Sequence, residues 1–385
     1  MNKKEVLEIR KQFTPENCAI TRICGCYVDH EKEKKTELKK AFLSMPEEEA
    51  FKYFDIFKHT LSGTLGKNLM NMEFPTEQEM PGGTQEFLLK LRDSKLTDDL
   101  LVEEFYDKVI ENYIYPENYY IILIHAVYDV PGKSSDGLEM FDASDTVYEH
   151  IMCSICPVNL TKAGLTYNAE TNNIEDRIRD WFVELPVKGF LFPAFNDRAS
   201  DLHGVLYYSK KPEELQPDFI ENVLGSQIPL TAKDQKASFQ TIISDTLGED
   251  CDYEVVRNIH DNLNEMIEEA KETPEPLELG KPEMKNLLAR SGASQEHLET
   301  FDEEFEEVVG EKQTLLAANI ASTKTFQIET PDIVLKVNPE RSDLVETREI
   351  DGRKCLVIPI DEHLEVNGIE VHYAWDKKYG LSFCN

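Results

Sequence analysis

The stretch Asn118 to Val130, NYYIILIHAVYDV, constrains the fold of this chain more than any other. It is the longest nearly unbroken apolar run, and it is shorter than the ~20 residues needed to cross a bilayer. β-Branched and aromatic residues dominate it, which predicts a strand. The lack of strict alternation predicts a strand covered on both faces. A second run, Tyr148 to Val158 (YEHIMCSICPV), follows a polar loop holding Gly132, Ser134, Ser135 and Gly137. The two runs read as adjacent central strands of one sheet, with the other elements laid around them.

The chain has 385 residues, enough for two domains or for one large and one smaller unit. Its formal net charge of -33 repels polyanions at long range, which disfavours wholesale wrapping of nucleic acid and adhesion to an anionic membrane. Screening beyond ~8 Å at physiological salt still leaves room for a local basic patch. Residues 1–45 form such a patch, with ten Lys or Arg against seven Asp or Glu. The N-terminal MNKKEVLEIRKQF has lysines without an apolar stretch behind them, so no secretory signal is expected and the predicted setting is the cytoplasm. The eight cysteines are then expected to be reduced thiols.

In chain order, Lys3 to Phe13 reads as a short helix and Cys18 to Val28 as a strand, with Thr36 to Leu43 as its hairpin partner. Ser44, with Glu47 in capping-box spacing, opens a helix whose apolar stripe is Phe51, Phe54, Phe57 and Leu61. Leu69 to Phe74 reads as a strand, and helices follow at Thr84 to Leu91 and Thr97 to Tyr113, the second capped by Thr97. Gly189 to Phe195 and Gly204 to Tyr208 look like the sheet's final hairpin, with Pro193 placing the first at an edge or at a bulge. Pro212 to Leu224 reads as a helix. The composition then shifts: residues 247–310 hold 19 Asp or Glu against five Lys or Arg. In the helix Tyr253 to Lys271, Val256, Ile259, Leu263, Met266 and Ala270 make a coiled-coil-type seam about two heptads long. Acidic helices at Pro282 to Arg290 and Ser294 to Val309 precede short strands, with hairpin turns at Asp351-Gly352 and Asn367-Gly368.

Candidate chemistry sits mainly on the central strands. Cys24, Cys26, Cys153 and Cys156 supply four thiols, the number a tetrahedral zinc site takes. Both pairs fall inside strands, however, where Cys153 and Cys156 point to opposite faces, so core packing is the simpler account. His125, His150 and Cys153, with an acid such as Asp129, offer a Cys–His pair, set against a hydrogen-bonded core histidine. Ser62 to Asn68 (SGTLGKN) fails the phosphate-loop pattern and follows a helix instead of opening one. Glu299 to Glu307 lacks the turn glycine of a calcium loop. Arg22, Lys32, Lys34, Lys35, Lys39 and Lys40 on the N-terminal hairpin are candidate phosphate contacts, set against a solvated hairpin. No cofactor signature is found.

Three segments carry a resemblance: EIRKQFTPENCAITRICGCYVD (Glu8 to Asp29), FKHTLSGTLGKNLMNMEFP (Phe57 to Pro75) and the CSICPV run. With these the chain resembles, over its full length, a bacterial family known only as domain-of-unknown-function 4317. That resemblance implies a bacterial cytoplasmic setting and no activity. In its order of parts the chain is also similar to the thirty-seven-kilodalton class of nucleoid-associated proteins. The shared order is the strand pair YYIILIHAVYD and YEHIMCSICPV, then NIHDNLNEMIEEAKETPEPLEL, then RKCLVIPIDEHLEVNG. No short motif carries functional residues across, so this is an analogy of architecture.

The expected fold is α+β. A mixed or antiparallel sheet flanked by helices spans residues 1–225, and a smaller acidic helical and β module spans residues 226–385. Two functions stay open. One is a non-enzymatic interaction protein, nucleoid-linked in one form, that binds a protein partner or itself through the acidic helices 253–309, or DNA through the basic hairpin. The other is an enzyme with a pocket near the central strands. The first is preferred because no catalytic signature outweighs its simpler account.

Overall fold

The computed structural model describes residues 1–133, 139–140, 146–310, 313–321, 325–360 and 364–371. Ser134, Ser135 and Gly137 of the polar loop, and the C-terminal segment from residue 372, lie outside the described residues.

The strands of the main sheet are β1 (Ile20–Val28), β2 (Lys34–Ala41), β3 (Leu69–Glu73), β4 (Tyr119–Val130), β5 (Thr146–Leu160), β6 (Lys188–Phe192) and β7 (Gly204–Ser209). They lie in the order β2-β1-β4-β5-β6-β7-β3, all neighbours antiparallel, and Trp181–Val183 pairs with the far end of β5. The two apolar runs are the central neighbours, in register from Tyr119 opposite Pro157 to Val130 opposite Thr146.

Alternation of side chains splits this sheet between two cores. On one face Cys24, Cys26, Ile121, Leu123, Ile151 and Cys153 pack under the helices α3 (Thr84–Asp93), α4 (Asp99–Asn112) and α5 (Pro217–Asn222). On the other, Ile23, Ile122, Ile124, Met152 and Cys156 pack under α1 (Lys3–Arg10) and α2 (Glu47–Thr60). Burial on both faces is why β4 and β5 read as continuous apolar runs. Each fully buried Ile or Leu contributes about 1.5–3 kcal/mol relative to leaving it exposed.

A third core is built from α6 (Ala232–Leu247), α7 (Tyr253–Glu269), α8 (Lys281–Ser291) and α9 (Gln295–Val308), closed by Leu315, Ala317 and Ile320. Beyond it come the hairpins Phe326–Thr330 with Ile333–Val337, Glu346–Ile350 with Arg353–Val357, and Leu364–Val366 with Ile369–Val371. Asp351-Gly352 and Asn367-Gly368 form the turns of the last two, all four residues at positive φ as a type I′ turn requires.

Local expectations fail where a neighbouring group takes over. Ser44 does not cap α2; its hydroxyl bonds the Ala41 carbonyl (2.7 Å) to close a short 3-10 turn, and Pro46 precedes the helix. Asp98, not Thr97, caps α4 by accepting from the amides of Leu100 and Leu101. Phe51 of the expected stripe is exposed, and Ile56 is buried instead. β6 is central rather than at an edge, and Pro193 lies one residue past its end, where no ladder bond is lost. The hairpin β6–β7 does not close the sheet, because β3 pairs outside it.

Candidate functional site

The thiols do not converge. Cys24 lies opposite Leu123, which lies opposite Cys153, so a strand separates these two thiols, while Cys156 points to the other face. Burial raises all four thiol pKa values, that of Cys26 to about 12. These are inert packing groups rather than thiolate ligands. Among the described residues the one acid, His or Cys cluster with metal-like spacing is Asp29, Glu31 and Glu33 in the β1–β2 turn, and Lys35 bridges two of its members, Asp29 (2.8 Å) and Glu33 (2.6 Å).

The imidazoles also part. His125 faces the α3–α4 side and His150 the α1–α2 side, while Asp129 is exposed near the end of β4. His125 is fully buried but fully partnered: Nδ1 lies 2.6 Å from Thr21 Oγ1 and Nε2 lies 2.8 Å from Glu149 Oε1. An ionised carboxylate can only accept, so Nε2 carries the proton and Nδ1 accepts from the threonine hydroxyl. Burial lowers the His125 pKa, against the opposing pull of Glu149. Thr21 reaches this position because β1 is bulged between Ile20 and Arg22. Sequence reasoning missed Thr21 and Glu149, since nothing in the spacing marks a bulge or a diagonal cross-strand pair. The hydroxyl–imidazole–carboxylate series has triad-like order, but its members line none of the clefts described below. His150 stacks on Tyr148 (4.4 Å between centroids, 18°), and neither ring nitrogen has a hydrogen-bond partner.

The basic hairpin is neutralised by its surroundings. Lys34 bridges Glu103 and Asp107, Lys39 bridges Glu37 and Asp99, Lys40 bridges Glu49, and Lys35 is held as above. Lys32 donates toward the Glu111 carbonyl, and Arg22 buries its Nε beside Cys24. Strand β2 thus lies along the acidic face of α4, and little cationic surface remains for a phosphate backbone. The acidic helices are likewise occupied: Ile259 and Leu263 of the α7 seam are buried in the third core, with Met266 packed against it.

The clearest concavity opens where the sheet meets the acidic module. A cleft of about 680 Å³ runs along β3 and is closed by Gln227 to Leu230, Glu278 and Thr314. The Ser62 to Asn68 loop anchors the module here. Leu316 packs over Gly66, where a Cβ would lie 2.1 Å from Leu316 Cδ1, and Asn319 Nδ2 donates to the Gly66 carbonyl (3.0 Å). The other neighbour of β3 is β7. Phe74 N–H bonds the His203 carbonyl and Ser209 N–H bonds the Asn68 carbonyl, which fixes the alternation. Residues 70 and 72 therefore pair with β7, and 69, 71 and 73 point away from it. Leu69 is taken up by the loop, through Gly66 N–H and the Thr64 carbonyl. The N–H and C=O groups of Asn71 and Glu73 remain, facing the cleft at a sheet edge. The charged lining residues are Glu73, Glu77 and Glu278, with no Lys or Arg among them, and the Met1 ammonium donates to Asn71 Oδ1 beside them (2.9 Å).

No helix among the described residues is long and apolar enough to cross a membrane. No curated protein matches the chain, so the likeness in order of parts to the nucleoid-associated class gains no support. A family model does match, over residues 1–369: the chain belongs to the family described as domain of unknown function (DUF4317).

Proposed function

We infer that this chain is a non-enzymatic interaction protein of the bacterial cytoplasm that holds an extended, cationic peptide segment of a protein partner along β3. The carrying observation is the open edge at Asn71 and Glu73, set in a cleft lined by three carboxylates, with the Met1 ammonium bonded to Asn71 Oδ1 (2.9 Å) beside them. An added strand gains main-chain hydrogen bonds from such an edge, and flanking pockets read alternate side chains. Natural proteins usually blunt an open edge with lysine or proline, and here the edge carries glutamate. A volume of about 680 Å³ lies within the range of roughly 300–1,000 Å³ typical of ligand sites.

The test is fluorescence polarisation with a labelled peptide of alternating lysine and valine. Saturable micromolar binding that weakens with salt is expected. Glu73→Pro, which removes an outward N–H without touching the ladder to β7, weakens it, as does the pair Glu77→Lys and Glu278→Lys. Equal binding of a glutamate–valine peptide, or binding indifferent to Glu73→Pro, would refute the reading. A second reading rests on the Thr21–His125–Glu149 series, an activated hydroxyl that attacks esters. It predicts turnover of an activated ester that Thr21→Val abolishes, and turnover no greater than that of Thr21→Val retires it.

A further inference from the structure

The bulge in β1 gathers a set of groups that the cleft along β3 does not use. Thr21 is exposed, and its Oγ1 lies 2.6 Å from His125 Nδ1. Glu149 fixes His125 Nε2 (2.8 Å), so the lone pair of Nδ1 is turned to the threonine hydroxyl. Burial lowers the His125 pKa, which keeps the ring neutral and able to take a proton at pH 7. Arg22 stands directly opposite His125 in the β1–β4 ladder, and directly opposed residues carry their side chains on one face. Its guanidinium lies beside the Cys24 thiol, which burial holds neutral, and its buried Nε has no hydrogen-bond partner. Arg92, near the end of α3, and Lys95, just beyond it, are close enough to His125 to lower its pKa further. The carboxylates on the surrounding elements are committed elsewhere: Glu149 to His125, Asp93 to Arg92 (2.6 Å), Asp98 to the cap of α4 and Asp99 to Lys39 (3.1 Å). Among the described residues neither Arg22 nor Lys95 forms an ion pair.

A partly buried guanidinium without a counter-charge, beside an activated hydroxyl, calls for an anion. We propose that Thr21 is a phosphorylation site that takes its phosphoryl group directly from a small acyl phosphate. Thr21 Oγ1 attacks phosphorus, the bond from phosphorus to the acyl oxygen breaks, and the carboxylate leaves with the electron pair. The hydroxyl proton passes to His125 Nδ1, and Glu149 holds the imidazolium that forms. Phosphoryl transfer is promoted chiefly by positioning and by cations around the oxygens of the transferred group, which Arg22 and Lys95 supply. The product is close to a dianion at neutral pH. Its oxygens accept from Nδ1–H and from the guanidinium, so Arg22 gains the charge-assisted partner it lacks. The donor is small because Thr21 lines none of the clefts that would seat a large one. The proposal rests on the activated hydroxyl of the second reading above, needs no turnover, and is independent of the edge at β3.

Incubation of the full chain with acetyl phosphate, followed by intact-mass measurement and peptide mapping, tests this. One phosphoryl group on the peptide that holds Thr21 is expected, and Thr21→Val loses it. His125→Gln is expected to slow labelling about a hundredfold. Arg22→Gln slows it about tenfold, as does Lys95→Glu, a reversal at an exposed side chain that leaves the core untouched. A wild type without phosphate on Thr21 overturns the proposal, as does labelling at equal rates in the wild type and Lys95→Glu. An acetyl group on Thr21 in place of the phosphoryl group overturns it too. Turnover of an activated ester without the phosphoryl label leaves the second reading standing and this proposal refuted, whereas the label without turnover supports the proposal and retires that reading.

Discussion

His150 imposes a cost on the folded state that grows as the solution is acidified, and the cost can be worked out from its surroundings. The side chain is fully buried against Tyr148, its two ring nitrogens make no hydrogen bond of good geometry, and burial, with His125 adding a smaller repulsion and the Tyr148 backbone pulling weakly the other way, lowers its pKa to about 3. In the unfolded chain a histidine titrates near 6.5. Above pH ~6.5 neither state binds the proton and the residue is neutral to stability. Between ~6.5 and ~3 only the unfolded chain binds it, so stability falls as the pH falls. At 1.36 kcal/mol per pH unit, the loss from pH 7 to pH 5 is about 2 kcal/mol from this residue alone. In the variant His150→Phe the aromatic stack remains and the titrating group is gone. Its stability at pH 7 sums a gain of ~1–3 kcal/mol from removing unsatisfied nitrogens and a packing cost for the larger ring of similar size. The pH slope is free of both terms. Urea unfolding followed by far-UV circular dichroism at pH 7 and pH 5 should therefore show the wild type losing about 2 kcal/mol more than His150→Phe. Equal losses would mean that His150 is hydrated or partnered, and the reasoning about its burial would be wrong.

Other side chains give independent tests. Glu149→Gln leaves the buried His125 Nε2–H with a weaker partner and should cost about 1–3 kcal/mol in chemical denaturation. Gly25 lies beneath Tyr120, where an added Cβ would come 2.0 Å from the phenol oxygen, so Gly25→Ala should cost about 1–3 kcal/mol, and Tyr120→Leu should recover part of it in a double-mutant cycle. Lys188 is buried with Ser209 Oγ at 2.7 Å and the Glu214 carbonyl as partners, and burial lowers its pKa to about 8. Below pH 8 both states hold the proton. Between pH 8 and pH 10.5 the folded state gives it up first, so the wild type should gain up to about 3 kcal/mol relative to Lys188→Met over that window.

The central pair β4–β5 was legible because burial on both faces removes polar residues from the pattern, and continuous apolar runs are rare enough to be diagnostic. Hairpins with Asp-Gly and Asn-Gly turns were legible because only a few residues tolerate positive φ. The helix α6 escaped notice although Thr231 caps it and Phe239, Ile242, Ile243 and Leu247 line its buried side. Its polar residues outnumber these, and the stripe appears only once α7, α8 and α9 are in place to face it.

The site residues show a sharper limit. Sequence pointed to thiols, imidazoles and lysines by their chemistry, and the fold neutralised most of them: the thiols by burial on two faces, Lys34 and Lys39 by carboxylates of α4 sixty or more positions away in the chain. What it left exposed has no chemical signature at all. The edge at Asn71 and Glu73 consists of main-chain groups, which every sequence has, and becomes a surface only because β3 is last in the strand order. Leu165, Tyr167 and Ile174 stand in a mixed stretch of sequence, yet only the pairing of Leu165–Asn168 with Asn173–Asp176 puts all three on one face of a hairpin.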